Sequence, residues 1–113
     1  MKNFKYQEVK AEDAGEGSYN VTVRWLIDKK LGAKNFAMRL FEFKPGGHTP
    51  LHRHPWEHEI FVLEGEGVVV GGHGEYQISK GSVVFISANE LHQFRNTGTD
   101  ILRIICLIPY ISE

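Results

Sequence analysis

Apolar and polar residues alternate along most of this chain. From Tyr19 to Asp28, YNVTVRWLID puts Val21, Val23, Trp25 and Ile27 on one side of an extended backbone. That period of two, built from β-branched and aromatic residues, predicts a strand. Asn35 to Lys44, NFAMRLFEFK, is a second extended segment, expected to stop at Pro45-Gly46-Gly47. Short strands are expected at Leu51–His54 and His58–Leu63, around Pro55-Trp56-Glu57. Gly65-Glu66-Gly67 reads as a tight turn. Gly71-Gly72-His73-Gly74 reads as a hairpin between Val68–Val70 and Glu75–Ser79. Lys80-Gly81 leads into SVVFIS, and Leu91–Asn96 and Ile101–Ile108 flank Thr97-Gly98-Thr99. Residues 1–10 are expected to hold a short strand, and 11–18, AEDAGEGS, a polar loop. No segment keeps a helical period. Many short strands punctuated by glycine predict an all-β sandwich or barrel.

Composition narrows the function more than the fold. The 113 residues suit a single domain, 1–113. Lys+Arg 13 against Asp+Glu 14 gives a net charge of -1. Without a basic run, this balance offers no footprint for nucleic acid or an anionic membrane. Cys106 is the single cysteine, which excludes an intramolecular disulfide. The first residues, MKNFKYQEVKAEDAGEG, contain no apolar h-region, and no window approaches 18 apolar residues. A soluble, cytoplasmic protein is therefore expected.

Chemistry enters at Gly46 to Gly65, GGHTPLHRHPWEHEIFVLEG, which carries His48, His52, His54 and His58. On a strand, residues two apart share a face, so His52 and His54 project together while Arg53 points away. His58 opens an apolar strand expected to run back alongside the first, and His92 stands at the start of a later strand. Three imidazoles so close repel one another if protonated and need partners if buried. A divalent transition metal held by His52, His54, His58 and His92 removes both difficulties. His48 and His73, in glycine-rich turns, are read as solvated or hydrogen-bonded surface residues.

These spacings resemble the cupin superfamily. Its first motif is Gly, five residues, His-x-His, three or four residues, Glu, six residues, Gly. Gly46, His52, His54, position 58 and Gly65 fit it. Its second is Gly, five residues, Pro-x-Gly, two residues, His, three residues, Asn. Gly81, His92 and Asn96 fit, with Ser87 for the proline and Asn89 for the glycine. The resemblance implies a double-stranded β-helix (jelly-roll) barrel, a metal inside it and commonly a homodimer. His58 stands where the family usually has glutamate, so the chain is similar to small four-histidine, manganese-binding bacterial cupins. The resemblance favours Mn, with Fe, Ni, Cu or Zn compatible with imidazole ligands.

Periodicity also sketches a pocket. With Arg103 facing out, Leu102, Ile104, Cys106 and Ile108 face in, and Phe94 shares a face with His92 and Asn96. Cys106 is read as a small buried hydrophobe lining the barrel, less readily as a ligand or nucleophile. Arg39 has two readings. Facing inward with Phe41, it binds an anionic oxygen; facing outward, it pairs with Glu42 or a neighbouring strand. Trp56 is expected at the pocket mouth or in a dimer contact. Outward-facing Phe61 and Leu63 favour association. Mostly apolar walls suit a small, largely apolar substrate. The activity expected is that of a metal-dependent oxidoreductase of dioxygenase character. A non-redox isomerase or lyase and a non-catalytic small-molecule-binding barrel are the rivals.

Overall fold

The structure is a computed structural model, and it describes residues 1–110. The last three residues of the expected 1–113 domain lie outside the described residues. The described residues fold into nine strands with two single turns of 3-10 helix. They are β1 (Glu12–Asp13), β2 (Tyr19–Ile27), β3 (Phe36–His48), β4 (His58–Glu64), β5 (Glu66–Gly71), β6 (Gly74–Ser79), β7 (Val83–Ile86), β8 (His92–Asn96) and β9 (Leu102–Pro109). All pairings are antiparallel. The order β6-β5-β8-β3-β9-β4-β7, with β2 and β1 added beside β3, gives one curled sheet in jelly-roll form. Among the described residues, no helix is long and apolar enough to cross a membrane.

The core sits where the sheet folds over on itself. Val69, Ile78 and Phe94 from β5, β6 and β8 meet Ile60, Val62, Ile86, Leu102, Ile104 and Cys106 from β4, β7 and β9. Phe43 and Leu102, paired across β3 and β9, are both fully buried. Each such side chain stabilises the fold by about 1.5–3 kcal/mol. The inward set on β9 is Leu102, Ile104 and Cys106, as the alternation predicts.

The structure departs from the sequence expectations in several places, and one is that Glu12–Asp13 of the expected 11–18 loop form β1. Residues 1–10 form a 3-10 turn at Tyr6–Glu8 and no strand. Arg24 holds this segment, its Nη1 donating to the carbonyls of Tyr6, Gln7 and Val9. β3 does not stop at Pro45 but runs on to His48. It turns there through Gly46 at φ 80, a left-handed value that glycine adopts without strain. The segment Leu51–His54 is no strand; His52 makes a single bridge to His92. Finally, β4 runs beside β7 and β9, and does not run back along residues 51–54. On the outer sheet face, Phe61 (45% exposed) lies beside Val83 (76%) on β7.

Candidate metal centre

Four imidazoles meet at one mouth of the curled sheet, brought there by three pieces of chain. The first is the loop after β3, stitched along β8. His52 N–H donates to the His92 carbonyl at 3.0 Å, and His92 N–H returns a bond to His52 at 2.9 Å. Thr49 reinforces this: its hydroxyl accepts from Phe94 N–H at 2.9 Å, and its own N–H donates to the Phe94 carbonyl at 3.0 Å. The second piece is the first residue of β4, which delivers His58 on the inward face with Ile60 and Val62. The third is the first residue of β8, His92.

Between β7 and β8 the chain turns at Asn89, whose φ is 67. Asparagine tolerates this left-handed conformation, so it serves where a glycine was expected. Its N–H donates to the His54 carbonyl at 2.6 Å and ties the two histidine-bearing loops together. Asn96, fully inside at the end of β8, donates to the carbonyls of Phe43 and Asp100 at 2.9 and 2.8 Å. Its role is structural.

The rings crowd closely. His52 lies 4.3 Å from His54 and 4.8 Å from His92, between ring centres. His58 lies 4.9 Å from His92 and 5.3 Å from His54. Ligand atoms of His52, His54 and His92 fall within 4.8 Å of one another, a three-histidine group able to hold a metal ion. His58 borders this trio.

The donor set fits a metal on two grounds. First, the rings are neutral. Burial, then the charges of His54, His92 and Arg39, lowers His52 to a pKa of about 4. Burial, followed by His92, Arg39 and the other two imidazoles, lowers His58 to about 3. His54 is lowered by burial, His92 and Arg39. Burial also lowers His92, against the opposing pull of the Glu90 carbonyl and carboxylate. Neutral imidazoles keep a lone pair for a cation. Second, the rings are directed. His92 Nδ1 lies 2.8 Å from the Glu90 carbonyl. Donating there leaves Nε2 bare, the usual arrangement of a metal-binding histidine. His58 Nε2 is buried with no hydrogen-bond partner among the described residues. Such an orphaned atom is costly unless something outside the protein meets it.

Behind the histidines lies a cavity of about 240 Å³. Phe41, Phe43, Ile60, Phe94 and Ile104 form its apolar walls, and Ala14, Glu16, Ser18, Thr49 and Pro50 line the rest. Arg39 faces into it, with its guanidinium carbon 4.8 Å from the Phe41 ring centre and 5.4 Å from that of Trp25. Its Nη2 donates to Cys106 Sγ at 3.1 Å, and its Nε meets no partner among the described residues. Glu42 does not pair with it. That carboxylate faces the other side of β3 and binds Arg24 and Arg103.

Cys106 lines the cavity, and burial raises its thiol pKa against the opposing effect of Arg39. Trp56, expected at the pocket mouth or in a dimer contact, is not among the residues that line this cavity. Its ring stacks on the His54 imidazole, centres 4.5 Å apart and 13° from parallel. Glu57 and Glu59 are exposed, His48 binds the Thr49 carbonyl, and His73 lies in the exposed β5–β6 turn. Ile60 shares the inward face of His58, as the alternation implies, whereas Phe43 and the 14–18 loop lie outside the predicted pocket. Phe43 shares the inward period of Arg39 and Phe41, a signal present in the sequence. The loop carries none.

A sequence profile of the cupin domain matches residues 39–108. The polyketide cyclase RemF from Streptomyces resistomycificus is 35% identical, with a TM-score of 0.91 over 100% of this chain and 88% of that one. An oxalate-binding protein of Thermotoga maritima is 33% identical over 81% of this chain and 78% of its own length. Auxin-binding protein 1 of Arabidopsis thaliana is 35% identical over 68% of this chain. This chain spans only 43% of that protein's length.

Proposed function

The chain belongs to the cupin family, and from that premise we propose that it is a metal-dependent enzyme of non-redox type, closing a ring in an enolisable carbonyl compound. One observation carries the reading. A single cavity holds an unpaired, buried guanidinium donor on one wall and an unpaired imidazole nitrogen on another, Arg39 Nε and His58 Nε2. Groups left open in this way call for an occupant with two oxygens, one bearing negative charge, and a metal at the histidines. The full-length likeness to a polyketide cyclase supports the choice of substrate class.

In this reading His52, His54, His58 and His92 hold the ion. When bound, the ion supplies a Lewis acid that polarises a carbonyl oxygen. Four neutral imidazoles add no negative charge and leave its full double charge in place. Arg39 binds the second oxygen and stabilises it as enolate charge develops. The guanidinium is held for this between Cys106 and the Phe41 ring. Phe41, Phe94 and Ile104 exclude water and hold the carbon skeleton. At about 240 Å³ the cavity lies just under the ~300–1,000 Å³ typical of small-molecule sites. It suits a ring-sized body whose remainder extends to the mouth.

The test is cyclisation of a short linear poly-β-ketone by metal-loaded protein, under air and under argon. The expected result is dehydrated cyclic product at equal rates in both gases, with an Arg39→Met variant about 100-fold slower. Oxygen uptake matched to turnover would replace this reading with the dioxygenase expected from the sequence. Loading with manganese and with zinc in parallel separates the two chemistries further. Imidazole ligands themselves do not select manganese.

A further inference from the structure

We infer that Cys106 is the positioning residue for His58, its sulfur accepting from His58 Nδ1–H and thereby keeping Nε2 bare and turned into the cavity. The inference rests on the metal reading above. A neutral imidazole carries one proton, so a nitrogen that is to bind a metal stays bare only if the other has an acceptor. His92 meets this condition with the Glu90 carbonyl, 2.8 Å from its Nδ1. The partner that His58 finds on the same side is Cys106, with Nδ1 and Sγ 3.4 Å apart. His58 is 6% exposed and its Nε2 has no partner among the described residues. Among the described residues, the thiol is the acceptor that His58 Nδ1 reaches.

The register places the two residues together. Ile60 pairs with Cys106 across β4 and β9, so His58, two residues earlier on the same inward face, lies diagonal to the thiol. The same sulfur receives Arg39 Nη2 at 3.1 Å. One small side chain thus fixes both a histidine of the metal group and the cation opposite it. A thiol has the lone pairs to accept from both donors. An aliphatic residue of equal size fills the space and accepts from neither.

The experiment compares the full-length wild type with Cys106→Val and Cys106→Ser. The Val variant removes the acceptor and adds one carbon to the buried site, and Ser keeps an acceptor of slightly smaller size. Zinc(II) affinity is read by competition with a chromophoric chelator. The expected result is a loss of about 10–100-fold for Val and a clearly smaller loss for Ser. Unchanged affinity in Val overturns the inference. Equal losses in both variants overturn it too, because packing and not acceptance is then at work. The second readout needs neither metal nor variant: ¹⁵N spectra of metal-free wild type at neutral pH. They should show the His58 proton on Nδ1, and a proton on Nε2 contradicts the inference even if the Val variant does not fold. Wild type that binds no zinc while showing the Nδ1 proton defeats the metal reading alone.

Discussion

Two polar clusters lie on opposite faces of β3 and are built in opposite ways. On the outer face, Glu42 receives Arg24 Nε and Arg103 Nε, each at 2.8 Å. Arg103 reaches on to Glu64 at 2.9 Å, and Arg24 to three carbonyls of the N-terminal segment. Every member has a partner. On the inner face, Arg39 and four histidines meet without an ion pair to any carboxylate among the described residues, although Glu16 lines the same cavity, and Arg39 Nε and His58 Nε2 are left open. The first arrangement ties the N-terminal segment, β2, β3 and β9 together. The second keeps capacity in reserve for something that is not protein. Alternation along a single strand sends Glu42 to one cluster and Arg39 to the other.

This contrast predicts that the two clusters answer different measurements. Removing an inner histidine should have the largest effect, on binding alone. We expect His92→Ala to weaken zinc affinity by more than about 100-fold, beyond the ~10–100-fold loss of an outer-shell partner. The melting temperature of the metal-free protein should move by only a few degrees. Chelator competition and calorimetry read the two quantities. Removing the outer carboxylate should do the reverse. Glu42→Ala leaves Arg24 and Arg103 facing each other at a mostly buried site. It should cost about 2–3 kcal/mol in urea denaturation, a little under the ~3–5 kcal/mol of a fully buried pair. Zinc affinity should be unchanged. A Glu42→Ala protein that loses metal would break the comparison.

Acid should separate the clusters by pH window. His52 and His58 have folded-state pKa values of about 4 and about 3, below the 6.5 of the unfolded chain. Between those limits the unfolded state binds more protons, so metal-free stability falls as pH drops from 6.5. Burial pushes Glu42 up, but hydrogen bonds from Arg24 and Arg103 outweigh it and lower its pKa below 4.5. The stability Glu42 contributes is therefore complete above 4.5 and is lost only below it. Denaturant midpoints measured against pH should show His58→Leu flattening the slope between 4.5 and 6.5. Glu42→Gln should flatten it below 4.5. The smallest effect is expected at the Asn89 turn. Asn89→Gly should change stability by no more than about 0.5 kcal/mol. Asn89→Ala should cost about 1–2 kcal/mol, the left-handed penalty.

Much of this was legible in the chain. The period of two located β2 to β9 and sorted β9 correctly, with Arg103 outward and Leu102, Ile104 and Cys106 inward. The spacing from Gly46 to Asn96 picked out His52, His54, His58 and His92, four rings that the structure brings together. What escaped depends on partners distant in sequence. His52 and His54 converge through backbone bonds to β8 and to Asn89, not through a strand of their own. β3 outruns its Pro45-Gly46-Gly47 stop because Tyr19 of β2 and Arg95 of β8 both pair with His48. The link between His58 and Cys106 needs the β4–β9 register, which no periodicity encodes. Arg39 had two readings until the β3–β9 register set it beside Cys106 and left Glu42 to the arginines.

The central claim is that the inner cluster is open because a metal completes it. The most direct measurement is metal content by inductively coupled plasma mass spectrometry, on untagged protein purified without chelator, beside His58→Ala. We expect close to one equivalent of a divalent transition metal per chain in the wild type and a clear reduction in the variant. No metal in either protein, before or after reconstitution, would contradict the account and leave the four histidines as the lining of a simple binding cavity.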